Sequence, residues 1–162
     1  MLTLPPLPTP GQNPWDLRPH LLALRDGIRS LQSFSVTTFG AIGDGVADDT
    51  AAFQACAEHI RDLGGGTMLV PAGHYMLDAL SGRLSTPTPE GDPGSGVWAP
   101  FGGVRLYDNT NLIMAPDATV QALPNNAGTY RIIYVYNSEN ILISGGHVKG
   151  ERNQHIGAFG GE

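Results

Sequence analysis

Two groups of ionisable side chains lie close enough in this chain to do chemistry. Asp44, Asp48 and Asp49 fall within six residues of one another. Three carboxylates that close could hold Ca²⁺ through hard oxygen ligands. His147, Lys149, Glu151, Arg152, His155 and Glu162 make the densest polar group near the C-terminus. Imidazoles, acids and a guanidinium together could form the rim of a glycan site, or simply a solvated turn. Trp98 and Phe101 add two rings that could stack on a sugar face, stack on a neighbouring subunit, or anchor their loop on its own domain. Hydrolysis of a glycosidic bond would need more. It takes two carboxylates, about 5–5.5 Å apart for retention or about 6.5–9.5 Å for inversion.

The first acidic group fits turn and cap chemistry better than a metal centre. It lacks the alternating oxygen ligands and distal Glu of an EF-hand loop, so no metal is expected. Gly40, Gly43 and Gly45 surround Asp44, and a stretch that reaches positive φ cheaply should be a tight turn. Asp48, Asp49 and Thr50 then carry a helix N-cap signal. Phe53, Ala57, Ile60 and Leu63 recur at helical spacing, which predicts a helix over Asp49 to Leu63 with one apolar face. Gly64, Gly65 and Gly66 end it. Thr67 to Val70 reads as a short strand, Pro71 to Gly73 as a turn, and His74 to Leu77 as extended again.

This order of turn, capped helix, glycine stop and strand, from Val36 to Tyr75, resembles the opening of the pectate-lyase-like superfamily of right-handed parallel β-helix proteins. That family includes polysaccharide-cleaving enzymes and many bacteriophage tailspike and tail-fibre proteins. The resemblance implies a mainly β fold, with a right-handed parallel β-helix whose first coil is capped by the amphipathic helix. A β-helix begins at an unpaired strand edge and an open interior, and a one-faced helix is a suitable cover. The resemblance also implies that the three aspartates are structural.

Composition agrees with a turn-rich β protein. Of 162 residues, 22 are Gly and 13 Pro, and charged residues are only 15%. The net charge is −6 with a single lysine. An acidic chain without a basic stripe argues against nucleic-acid binding. No apolar run is long enough to cross a membrane, and the N-terminus has neither the basic region nor the apolar stretch of a secretory signal. Cys56 is alone and provides no disulfide framework. No cofactor is expected.

Residues 1–14 are proline-rich and should be extended. Asp16 can cap a following helix, with Pro19 in its first turn. Leu17, Leu21, Leu24, Ile28 and Leu31 then follow at spacings of four, three, four and three, a two-heptad seam. Such a helix can pack on its own β-domain or form a short parallel trimer. The division expected is residues 1–33 as an extension and helical oligomerisation segment, and residues 34–162 as the cap and first coils of an incomplete β-helix.

Short strand-like runs continue beyond a Pro/Gly-rich excursion at residues 81–103. Asn109 to Ala122 and Ser138 to Gly150 resemble each other at an offset of 28 to 29 residues, which suits consecutive coils. Asn111 and Asn140 are expected to match as an asparagine ladder. Leu112, Ile113, Met114, Val120, Ile132, Val135, Ile141 and Ile143 are expected to be partly inside. The polygalacturonase-like motifs Asn-Thr-Asp, Asp-Asp on a coil face and Gly-His-Gly are absent, and Gly146-His147-Val148 is only a fragment of the last.

The expected function is the N-terminal part of a homotrimeric tailspike or tail fibre. It would be made in the host cytoplasm, reside in the virion, join other tail or baseplate proteins through its N-terminus, and bind host surface polysaccharide. Trp98, His147, Glu151, Arg152 and His155 are the candidate glycan contacts. The alternatives are a polysaccharide lyase or glycoside hydrolase, with its active site mostly past residue 162, and a non-catalytic β-helix adhesin.

Overall fold

A computed structural model describes residues 17–80, 102–126 and 130–156; the side chains at 25, 26 and 28–31 stand outside that description. Trp98, Phe101, Asp16 and Glu162 therefore lie outside the described residues. Among the described helices, none is long and apolar enough to cross a membrane.

Helix α1 (Arg18–Leu31) leads into strand β1 (Ser33–Ser35). The Leu21 amide donates to the Leu17 carbonyl at 3.0 Å and closes the first turn. Pro19 sits in that turn, where its missing N–H costs nothing. Leu17, Leu21 and Leu24 are 63%, 61% and 52% exposed.

The rest is a stack of parallel strands. After β1 come a short 3₁₀ turn (Val36–Phe39), β2 (Asp44–Asp48), helix α2 (Thr50–Leu63), β3 (Gly66–Val70) and β4 (Gly73–Leu77). Then follow β5 (Val104–Leu106), β6 (Thr110–Met114), β7 (Ala118–Ala122), β8 (Ile133–Val135), β9 (Leu142–Ser144) and β10 (His147–Lys149). Strands β1, β3, β6 and β9 form one sheet, β2, β4, β7 and β10 a second, and β5 and β8 a third. Every pairing is parallel. The chain visits the sheets in rotation and returns one strand further each time, which is a parallel β-helix.

Alternation along the strands fills its interior. In β6, Thr110, Leu112 and Met114 point inward, and in β7, Ala118, Val120 and Ala122 do. Helix α2 covers the first coil. Phe53, Cys56, Ala57 and Ile60 are fully buried in one cluster with Val36, Met68 and Tyr75. The Phe53 and Tyr75 rings meet edge to face at 5.4 Å. Burying Phe53 alone contributes about 1.5–3 kcal/mol. Leu63, placed by spacing on the same apolar face, is 36% exposed because it lies on the last turn. Gly64 ends the helix at φ 81°, with its amide on the Arg61 carbonyl and that of Gly65 on the Ile60 carbonyl.

The glycine-rich opening is more than a tight turn. Asp44–Asp48 is a strand paired with β4, with a register shift between its ends. Gly45 supplies φ 78° there, as a bulge requires. The N-cap also differs from expectation. Asp49 precedes α2 but makes no side-chain cap bond. Its carboxylate is 2% exposed and accepts from the amides of Ile42 at 2.6 Å and Gly43 at 3.2 Å. Asp48 caps instead, accepting from the Thr50 amide at 3.0 Å and from the Thr50 hydroxyl. Asp44 accepts from the amides of Val46 and Ala47, both at 2.8 Å, and these bonds hold its carboxyl below the usual range. Pro71 offers its carbonyl to the Tyr75 hydroxyl at 3.1 Å.

Two further expectations change. The asparagine that partners Asn140 is Asn109; Asn111 pairs with Leu142. Val135 and Ile143 are 44% and 46% exposed, because β8 and β9 are outermost in their sheets among the described residues.

Candidate functional site

The sheet formed by β2, β4, β7 and β10 carries a polar outer face. Its inner row is Tyr75 and Val120, both buried, in register with Val148. The alternate positions face out, except Met76, which is buried in the column of Gln121. His74, Thr119 and His147 share one column, and Gln121 and Lys149 share the next. Neighbouring parallel strands lie about 4.8 Å apart, so His74 and His147 are separated by roughly 10 Å.

Hydrogen bonds tie this face together. His74 Nε2 lies 2.9 Å from Gln121 Oε1. Gln121 Nε2 donates to Gln154 Oε1 at 3.4 Å. Gln154 ends a short 3₁₀ turn, Arg152–Gln154, whose Gln154 amide donates to the Glu151 carbonyl at 2.6 Å. That turn brings the chain after β10 back across the outer face of β7. Further on, the Ile156 amide reaches the Asn125 carbonyl at 2.9 Å, so the chain follows the preceding coil.

The predicted polar cluster divides in two. His147, Lys149 and Arg152 are exposed and border this face. Glu151 and His155 turn inward, so they are neither rim nor solvated turn. Their side chains are 1% and 4% exposed, with Glu151 Oε1 2.9 Å from His155 Nδ1. The Glu151 amide donates to the Tyr130 hydroxyl at 3.1 Å, while Glu151 Oε2 is buried without a partner. Burying this pair fixes the turn that carries Arg152 and Gln154. His74, Gln121 and Gln154 were not singled out by the sequence, because only the coil register brings them together.

Amide, imidazole and ammonium groups on a flat strand surface can bind the hydroxyl groups of a sugar chain. On this sheet the carboxylates are Asp44 and Asp48 of β2, both engaged by backbone amides; β4, β7 and β10 carry none, so those three strands supply no acid pair for glycosidic hydrolysis. Among the described residues, no group of three or more metal-ligating side chains converges.

A parallel β-helix capped by α2, with a polar outer sheet face, defines a protein of the pectate-lyase-like class. The chain belongs to the rhamnogalacturonase A/epimerase, pectate lyase-like family, whose model matches residues 33–153. The Bacillus subtilis protein YclG is 32% identical over 124 residues, 76% of this chain and 19% of that protein. The SPbeta prophage-derived protein YorA of the same organism is 26% identical over 132 residues, 82% of this chain and 21% of that one. Mannuronan C5-epimerase AlgE3 of Azotobacter vinelandii is 31% identical over 131 residues, 79% of this chain and 6% of the epimerase. Among solved structures, the A-module of A. vinelandii mannuronan C-5 epimerase AlgE4 shares the fold, with TM-score 0.56 and 24% identity over 78% of this chain and 31% of that one. The chain thus spans about a fifth of the length of YclG and YorA.

Proposed function

We propose that this chain is the N-terminal, particle-proximal region of a trimeric phage tailspike or tail fibre that binds host surface polysaccharide. The observation that carries the reading is the exposed leucine row at the start of α1, Leu21 and Leu24 with Leu17 just before it, on a helix that runs straight into the first coil. Apolar side chains at heptad spacing on a free helix face gain most from a parallel partner. Two heptads alone are marginal in water; strands stacked directly after them would hold three copies together. A prophage-derived relative, YorA, supports the virion setting. In that setting α1 and residues 1–16 meet other tail or baseplate proteins, and the His74–Gln121–Gln154 face with His147, Lys149 and Arg152 contacts glycan.

A second reading is favoured by a different observation, the similarity to mannuronan C5-epimerases. On that reading the protein is an enzyme that modifies a polysaccharide, and the described coils position substrate. The two separate experimentally. Antibody against this chain should decorate the tails of purified virions, and unlabelled tails would remove the virion reading. Turnover of purified acidic polysaccharide, followed by reducing-sugar release or by NMR of the sugar protons, would establish the enzymatic one.

A further inference from the structure

A cleft of about 400 Å³ opens at the turns that precede β3, β6 and β9. It lies one strand away along the coil from the polar face of β4, β7 and β10. Arg61, Arg105, Tyr107, Asn109, Asn137 and Ser138 line it. The Arg61 guanidinium carbon sits 4.9 Å from the Tyr107 ring centre and that of Arg105 4.8 Å from the same centre. Both guanidinium groups thus lean on one ring, and an anion beside that ring meets positive charge from each.

Their hydrogen-bonding capacity is only partly used. Arg105 Nη2 donates to the Tyr136 carbonyl at 3.2 Å, yet its buried Nε has no acceptor. A buried donor left unmade is costly. Arg61 donates through Nε and Nη2 to Asp62 Oδ1, each at 2.9 Å, with the two side chains 44% and 67% exposed; an exposed pair of this kind contributes little. The one carboxylate in the cleft, Asp108, is engaged as acceptor for the Glu139 amide at 2.9 Å.

We infer that this cleft is a second binding site, for a sugar bearing a carboxylate. The planar guanidinium fork matches a carboxylate. The Asn137 amide and the Ser138 hydroxyl are suited to ring hydroxyls. The inference stands whether the protein is a virion component or an enzyme, since it invokes neither the leucine row nor turnover.

Calorimetric titration of the full chain tests it, with trigalacturonate as the probe, maltotriose as its neutral counterpart and citrate as a carboxylate without a sugar. Trigalacturonate should bind saturably, weaken as NaCl rises, and lose about tenfold in affinity in Arg61→Gln, the scale of one charge-assisted hydrogen bond. Arg105→Gln should lose at least as much while its circular dichroism stays that of the parent. Maltotriose should not bind. Absence of saturable trigalacturonate binding overturns the site. So does binding that both variants leave unchanged, because the ligand then sits elsewhere. Equal affinity for citrate overturns the sugar assignment. A drop in sedimentation mass in Arg61→Gln without trigalacturonate binding assigns the cleft to a neighbouring copy and overturns it also.

Discussion

Asn140 donates its side-chain amide to Asn109 Oδ1 at 3.0 Å, one coil away, and the two residues share a left-handed backbone at φ 57° and 58°. Asn109 passes the bond on, from Nδ2 to the Gly64 carbonyl at 3.3 Å. Main-chain bonds run alongside, from the Asn109 amide to the Glu139 carbonyl and from the Gly66 amide to the Asn109 carbonyl. Each coil thus turns the same corner with a residue that tolerates positive φ, and the corner side chains tie coil to coil.

Asn109→Ala should cost about 2–3 kcal/mol. It removes two side-chain hydrogen bonds and leaves alanine in a left-handed conformation. Asn109→Gly should cost less, since it removes the bonds without the strain. Gly65→Ala should destabilise as strongly, because at φ 139° its Cβ would meet Asn109 Cβ at 2.6 Å and the Asn109 carbonyl at 2.9 Å. Urea unfolding of the three variants gives the order directly.

Asp49 sits under the opening loop as an acceptor for two backbone amides. Asp49→Ala would leave both without their acceptor and should cost about 2–4 kcal/mol. Asp49→Asn keeps one oxygen and should cost less. Equal unfolding midpoints for Asp49→Ala and the parent would mean that the loop does not depend on this carboxylate.

Burial pushes the Cys56 thiol up to about 11, against about 8.5 in an open chain. A raised folded value keeps the thiol neutral while the unfolded chain ionises. Its stabilising contribution is therefore complete below about pH 8.5 and is lost as pH rises toward 11. Thiol labelling at pH 8 should be slow in buffer and fast in urea, and Cys56→Ala should flatten the loss of stability above pH 8.5. Rapid labelling of the native protein would show the thiol accessible.

Leu21→Asp and Leu24→Asp test the helix. Both side chains are more than half exposed, so in a single chain either change should alter stability by no more than about 0.5 kcal/mol. In a trimer each places three carboxylates in an apolar seam. Sedimentation should then fall from three chain masses to one, with the far-UV spectrum of the strands unchanged. A parent protein that already sediments as one chain would rule out the trimer.

Much of the fold was legible because local signals and tertiary needs coincide. Phe53, Ala57 and Ile60 carry the helical period, the Gly64–Gly66 stop lies where α2 ends, and β3 and β4 lie within a residue of their sequence-based limits. The ladder was legible in kind but not in partner. Leu106 pairs with Val135, 29 residues on, whereas Asn111 pairs with Leu142, 31 residues on. The turn between β8 and β9 absorbs two extra residues, so a fixed offset aligned Asn140 with Asn111 instead of Asn109. The candidate face was less legible still. His74 is a solitary histidine in sequence, and its contact with Gln121 depends on a register that no local pattern encodes. Glu151 and His155 looked like surface charges because they stand among charges; only the turn after β10 shows that they face inward.

The register of the second sheet carries one more consequence. Forty-five residues separate His74 from its partner Thr119, and only 28 separate Thr119 from His147, yet all three strands stack side by side. Contour length between β4 and β5 is thus decoupled from rise along the axis. A turn of this scaffold can be lengthened without moving the rungs above and below it, so its surface chemistry can be rewritten while its pitch stays fixed.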